Sequence, residues 1–355
     1  MKLRAGEVEV EATIAVGPSS GASPVQEVTF SGSVTIVFDI ETGSNLQFVT
    51  RASSPEAAYI NEYESDVWLM GDIKARFRTW AVWQEWFRNG QDNVNSMAVT
   101  YKKLLSRRLV HGGLTFTNVD LGDIIWGLIA HTQALPGGNL GITKGATTTT
   151  GVVVTREYKE GENIGSLADN EDEMGIWWAI DENRVYTAGS LASKPFVGAP
   201  LHLGANVAEL QRASGSDFAN AVYGDADDSV TTGVWKEAVD VATDPRGRWE
   251  LAQGWPTVQL QATLNERTAG FLHDSGITVA HWNVEMEPSR WLTDSRIMPG
   301  DHCTLVVPRS LAAPIGAPTE RIAVQVTQIS VNIDDAGGLG VKAVVQEQPG
   351  VALPT

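Results

Sequence analysis

A chain of 355 residues exceeds the size at which one hydrophobic core usually stops growing, so its length predicts two or three domains. Its 43% hydrophobic and 19% charged content, with 35 glycines and 15 prolines, is globular and excludes disordered and collagen-like classes. The net charge of −17 removes the electrostatic attraction on which sequence-independent nucleic-acid binding depends, and the single cysteine, Cys303, allows neither an intrachain disulfide nor a cysteine zinc cluster.

Glu7, Glu9 and Glu11 occupy the stretch where a secretion signal needs an apolar run, so none is expected. Val34, Ile36 and Phe38, the turn Glu41–Ser44, and then Leu46, Phe48 and Thr50 read as a hairpin. Trp80, Trp83 and Phe87 would suit a helical face, but Asn89-Gly90 and the alternating Met97, Val99 and Tyr101 beyond it favour a strand. Asp120 is an N-cap candidate with Asp123 in the first turn, and Leu121, Ile124, Ile125, Leu128 and Ile129 form one helical stripe that Pro136-Gly137-Gly138 ends. The apolar run Ile124–Ala130 is far shorter than the roughly 20 residues that span a bilayer, so stable membrane insertion is not expected. A shorter helix carrying Ile164, Leu167 and Ala168 should stop before Gly175, followed by a strand of Ile176, Trp178 and Ile180 and a return through Val185 and Tyr186.

From residue 206 the β pattern resumes. A helix from Thr257 to His273 is predicted, with Ser275-Gly276 as its stop, although Val258, Leu260, Ala262 and Leu264 also alternate as a strand would. Ala280, Trp282, Val284 and Met286 share one strand face, as do Cys303, Leu305 and Val307. Ile322, Val324 and Val326 hold one parity and Ile329, Val331 and Ile333 the other, which requires a bulge or break near Thr327. Asp334–Gly340 then turns the chain into Val341, Ala343 and Val345. Trp68-Leu69-Met70-Gly71-Asp72 and Met298-Pro299-Gly300-Asp301 are each expected to enter a strand, a faint echo of an internal duplication.

The fold class expected is α+β, predominantly β, with two β-barrel domains flanking a smaller α/β insert. Its expected boundaries are 1–27 for an N-terminal arm, 28–115 and 206–347 for the barrels, 116–205 for the insert and 348–355 for a tail.

The sequence assigns no catalytic, cofactor-binding or metal-binding residue. No two of the six histidines have the i, i+4 spacing of a helical zinc site, and His302 and Cys303, as strand neighbours, face opposite ways. Cys303 reads as a small buried hydrophobe. Gly17-Pro18-Ser19-Ser20-Gly21 matches G-x-S-x-G without a following helix, so it reads as a surface loop. Asp225, Asp227 and Ser229 begin like a calcium loop, but Val230 and Lys236 stand where Gly and Glu are needed. The twelve tryptophans read mainly as core, with a remainder at subunit interfaces or in contact with sugars.

The segment Ser96–Val110, the helix Asp123–Ile129, Gly138–Ile142 and Gly247-Arg248-Trp249-Glu250 are, in that order, similar to segments of the tail-tip (baseplate) hub proteins, minor tail proteins of long-tailed bacteriophages. The resemblance implies a structural, non-enzymatic virion protein without cofactors. It implies a homotrimer of two similar barrels per subunit, adapting a sixfold tail tube to a threefold tip. Implied partners are distal tail or tail tube proteins, the tape measure protein, and tip or fibre proteins, with DNA in transit only and assembly in the host cytoplasm. An acidic wall would let that DNA pass unheld. The competing readings are a carbohydrate-binding receptor-recognition protein of the tail tip and a cell-wall hydrolase.

Overall fold

The computed structural model describes residues 2–5, 8–20, 23–30, 33–39, 43–71, 74–87, 92–172, 176–190, 196–197, 200–214, 219–226, 232–239, 241–243, 247–255, 258, 261–276, 280–293, 297–308, 319–333, 338–348 and 353. The fold is α+β and predominantly β, built on one large curled sheet.

The first half supplies β1 (Val8–Pro18), β2 (Val34–Asp39), β3 (Asn45–Arg51), β4 (Ser65–Gly71), β5 (Ala75–Glu85) and β6 (Asn93–Thr100). They lie in the order β1-β4-β5-β6-β3-β2, every pair antiparallel. Period-2 alternation places Val34, Ile36, Phe38, Leu46 and Phe48 on the buried face, and β2 and β3 form the expected hairpin with Ile36 opposite Leu46. The aromatic stretch forms β5, a strand as predicted, while Asn89-Gly90 lies outside the described residues. Residues 12–18, expected within an N-terminal arm, pair with β4, because Ile14 and Val16 alternate into the core.

The middle of the chain has a separate core. β7 (Leu114–Asp120) leads into α1 (Leu121–Gln133) and pairs with β8 (Val153–Tyr158); α2 (Ile164–Asp172) precedes the antiparallel pair β9 (Ile176–Ile180) and β10 (Val185–Ser190). The apolar stripe of α1 is fully buried. Asp120 caps the helix as expected, accepting the Gly122 N–H at 2.9 Å, and also takes the Thr150 and Gly151 N–H groups at 3.0 and 2.9 Å. A Cβ at position 122 would run into the carbonyl of Thr148, so the helix start can approach this loop only as glycine.

The second half comprises β11 (Leu201–His202), β12 (Val207–Ser214), then an inserted unit of β13 (Ala221–Ala226), β14 (Val234–Glu237), β15 (Glu250–Trp255) and α3 (Gln261–Gly276). β16 (Ala280–Met286), α4 (Pro288–Thr293), β17 (His302–Pro308), β18 (Thr319–Ile333) and β19 (Leu339–Glu347) complete it. The helix expected from 257 to 273 runs from Gln261 instead; residues 257, 259 and 260 lie outside the described residues.

These six sheet strands lie in the order β11-β17-β18-β19-β16-β12. Ranked along the chain, both halves therefore read first-fourth-fifth-sixth-third-second. The fifth strand is bulged in each: β5 shifts register at Trp80 and β18 at Thr327, where the parity change required it. A short helix beginning at proline links third to fourth strand in both, Pro55–Tyr59 and Pro288–Thr293. One difference is that β11 pairs parallel with β17 whereas β1 pairs antiparallel with β4.

The Gly-Asp echo does not mark this repeat. Gly71 ends the fourth strand of the first half, with Asp72 outside the described residues, whereas Gly300 precedes the fourth strand of the second. The counterpart of Gly300 is Tyr63. The Tyr63 N–H donates to Thr79 O at 3.1 Å and the Gly300 N–H to Val326 O at 2.7 Å, each acceptor one residue before the bulge. Both donors have positive φ, 61° and 90°.

Candidate assembly interfaces

The halves are joined by one long strand. β18 pairs with β17 through residues 319–325 and, beyond its bulge, with β2 of the first half through 328–333. Side chains tie the same seam: Gln328 Nε2 donates to Asp39 Oδ2 at 2.8 Å and the Thr35 hydroxyl to Asn332 Oδ1 at 3.1 Å. Eight strands thus run without interruption as β5-β6-β3-β2-β18-β19-β16-β12.

This run ends in two edges with no strand partner among the described residues. One is β5 beyond Thr79, since β4 pairs only as far as Arg78; the other is the outer side of β12. By the repeat, β5 beyond its bulge corresponds to the stretch of β18 that β2 covers, and β12 corresponds to β2. Trp83, Trp86 and Phe87 are exposed at the free end of β5.

One face of the eight strands closes over the main core, and the register sets what the opposite, open face carries. On it lie Asn93, Asn95, Asn45, Gln47, Thr35, Gln328, Ser330, Asn332, Gln346, Asn283 and Gln211. Among the described residues the carboxylates there are Glu85, Asp39, Glu285 and Glu209, and the cations Arg51, Arg78 and Lys342, the last 3.4 Å from Glu285. The acidic surplus of the chain is therefore not concentrated on this face, where neutral amides and hydroxyls are interspersed with Val37, Val49, Trp83, Met97, Val99 and Val344.

Beside the β5 bulge is a recess of about 430 Å³ lined by Tyr63, Arg78, Trp80, Leu104, Arg107, Arg108 and Leu140. Arg107 lies over the Trp80 ring at 5.0 Å, and Tyr63 meets Trp80 edge-on at 6.2 Å. Arg78 is held from below. The buried Asp66 accepts Arg78 Nε and Arg76 Nε at 2.6 Å each and the Tyr101 hydroxyl at 2.7 Å. Burial acts to lower the Arg78 guanidinium, but Asp66 outweighs it and raises it above its ordinary value. Burial, then the Asp66 charge, also pushes the Tyr101 phenol up.

A second exposed aromatic surface lies on the inserted unit. Trp235 and Trp249 are exposed, the Tyr223 ring lies 5.3 Å from that of Trp235 at a 47° tilt, and Arg248 reaches both Glu237 and Glu250. Of the remaining tryptophans, Trp68, Trp178, Trp255, Trp282 and Trp291 are buried core.

The sequence candidates for chemistry are not brought together. Cys303 is buried, and that burial, then Asp301, pushes its thiol up to about 12, unsuited to a nucleophile. His302 lies 5.8 Å from the Phe196 ring. Gly17 and Pro18 end β1, Ser19 and Ser20 lie in a turn, and Gly21 is outside the described residues, as are residues 227–231 of the acidic loop. Among the described residues no three of His, Cys, Asp and Glu are grouped to hold a metal ion, and no helix is long and apolar enough to cross a membrane.

No family model matches the sequence, and no curated protein matches it. Solved structures do match in fold. The tail protein of Neisseria meningitidis MC58 superposes with a TM-score of 0.64 at 10% identity, over 96% of this chain and 97% of that one. The 43 kDa tail protein of prophage MuSo2 from Shewanella oneidensis gives 0.60 at 15% identity, over 95% and 98%. The E. coli c3393 protein, a type VI secretion component described as similar to the T4 bacteriophage tail proteins gp27 and gp5, gives 0.52 at 13% identity, over 96% and 79%. The chain has the fold of phage tail proteins.

Proposed function

We propose that the chain is a non-enzymatic structural protein of a phage tail tip, three copies of which close a ring of six related halves. The ring adapts a sixfold tail tube to a threefold tip and forms the passage through which DNA leaves during ejection. It would be built in the host cytoplasm against a distal tail or tube protein on one rim and tip or fibre proteins on the other, with the tape measure protein in its bore.

The observation that carries this reading is the seam between β2 and β18. Each chain makes that joint once within itself and, among the described residues, keeps both surfaces of a second such joint, β12 and the free end of β5, open. A joint between unlike surfaces propagates head to tail and, with the right rotation, closes into a ring. The amide face supports the conduit role in a different way from the acidic wall expected from the net charge. With three cations against four carboxylates, and Arg78 among them tied to Asp66, it offers little that could neutralise phosphates, so passing DNA releases few counterions and is not retained.

The test is the copy number in assembled tails and the mass of the concentrated chain. Three copies per tip are expected; six copies or one would overturn the ring. Release of muropeptides from purified cell wall by this chain alone would overturn the non-enzymatic part. The exposed Trp235 and Trp249 favour sugar recognition as a second reading, and polysaccharide binding lost in Trp249→Ala would support it.

A further inference from the structure

The arginine recess beside the β5 bulge has a counterpart inside the chain, a smaller recess of about 200 Å³ that the other half helps to line. At the second-half turn before β17, Met298 and Pro299 face Phe38, Asp39, Gly43 and Ser44 of the β2–β3 hairpin. The connection between second and third strands of one half thus reaches the turn before the fourth strand of the other. In the second half that connection is no hairpin: it is the inserted unit carrying β13, β14, β15 and α3. A copy-to-copy joint built like the internal one brings this unit to the equivalent turn of the neighbour, which is the turn at Tyr63.

Charge fits this placement. Residues 215–279 hold ten Asp and Glu against four Lys and Arg. The recess presents Arg78, Arg107 and Arg108 and is lined by no carboxylate, and among the described residues none lies within ion-pair distance of Arg107 or Arg108. Arg107 lies on the Trp80 ring with no anion beside it among the described residues, in a chain with a surplus of 17 negative charges. Tyr63 adds a second sign. A bulky residue at φ 61°, exposed, in a turn whose counterpart is a glycine, holds backbone strain of about 1 kcal/mol or more that a partner's contacts would offset.

We propose that this recess is the seat for the inserted unit of the neighbouring copy, its carboxylates meeting Arg107 and Arg108 while an apolar side chain covers Trp80 and Tyr63. The proposal rests on the ring reading above but makes a separate claim about which surface completes the joint.

Photo-crosslinking separates the two. Full-length chains carrying benzoylphenylalanine at position 63 or, separately, at position 83 are mixed with isotope-labelled chains at high concentration, irradiated and mapped by mass spectrometry. The Tyr63 probe should yield adducts to residues 219–276 of the labelled chain, and the Trp83 probe adducts to residues 207–214. Arg107→Glu with Arg108→Glu should cut the Tyr63 adduct roughly tenfold, and added salt should weaken it in the unsubstituted recess. Trp83 adducts to 207–214 with Tyr63 adducts absent, or mapping elsewhere, would sink the seat and leave the ring standing. Absence of both would sink both.

Discussion

Asp66 is the residue on which the first half is most exposed to a single change. Its carboxylate is fully buried and serves two guanidinium groups and a phenol at once. Asp66→Ala leaves those donors in a low-dielectric pocket without their anion, so chemical denaturation should show a loss of about 3–5 kcal/mol, against about 1–2 kcal/mol for Tyr101→Phe. Asp120 offers a pH readout. Burial pushes its carboxyl up, but the N–H donors of Thr150, Gly151 and Gly122 outweigh burial and hold it below the ordinary value. Its folded pKa being depressed, its contribution is fully present above the unfolded value near 3.9 and fades as pH falls through the folded one. Thermal denaturation should therefore show Asp120→Asn costing about 1 kcal/mol at pH 7 and progressively less below pH 4. The cap and its stripe were legible because they are local. Tyr63 is not: glycine advertises positive φ, tyrosine hides it, and the repeated Gly-Asp pair points to Gly71 rather than to the true counterpart of Gly300.

At the level of elements, the two bulges show why one half was easier to read than the other. In β18 the apolar residues are aliphatic and switch parity between Val326 and Gln328, so the extra residue announced itself at Thr327. In β5 the aromatic residues Phe77, Trp80 and Trp83 stand three apart and so alternate in parity, which leaves no single face to read from the sequence. Deleting Thr327 tests the role of the bulge. The deletion puts Ile329, Val331 and Ile333 on the open face, and hydrogen exchange should show residues 319–347 losing protection while α1 stays protected in its separate core. The open edges and the recess were beyond sequence reasoning, since strand neighbours here lie up to roughly 300 positions apart, as Thr35 and Asn332 do, and only the assembled sheet reveals which edge lacks a partner.

The whole molecule separates net charge from local charge. A composition of −17 predicts repulsion everywhere, yet the open face is nearly balanced and the recess is basic. Filter binding should find no retained duplex DNA with the natural chain. The triple variant Asn45→Lys, Gln47→Lys and Gln328→Lys should retain it, with log affinity falling against log salt at a slope of about −0.9 for each phosphate contacted.

Because β18 is hydrogen-bonded to β2 of the first half and reinforced there by Gln328 and Thr35, and one backbone runs through both halves, the halves of one chain stay tethered when this seam opens, whereas two chains part by ordinary dissociation. A closed assembly of this kind has joints of two stiffnesses in alternation. In the ring proposed above, a load that widened the bore would separate every second joint, and the aperture would yield as three jaws, although six nearly alike units would surround it.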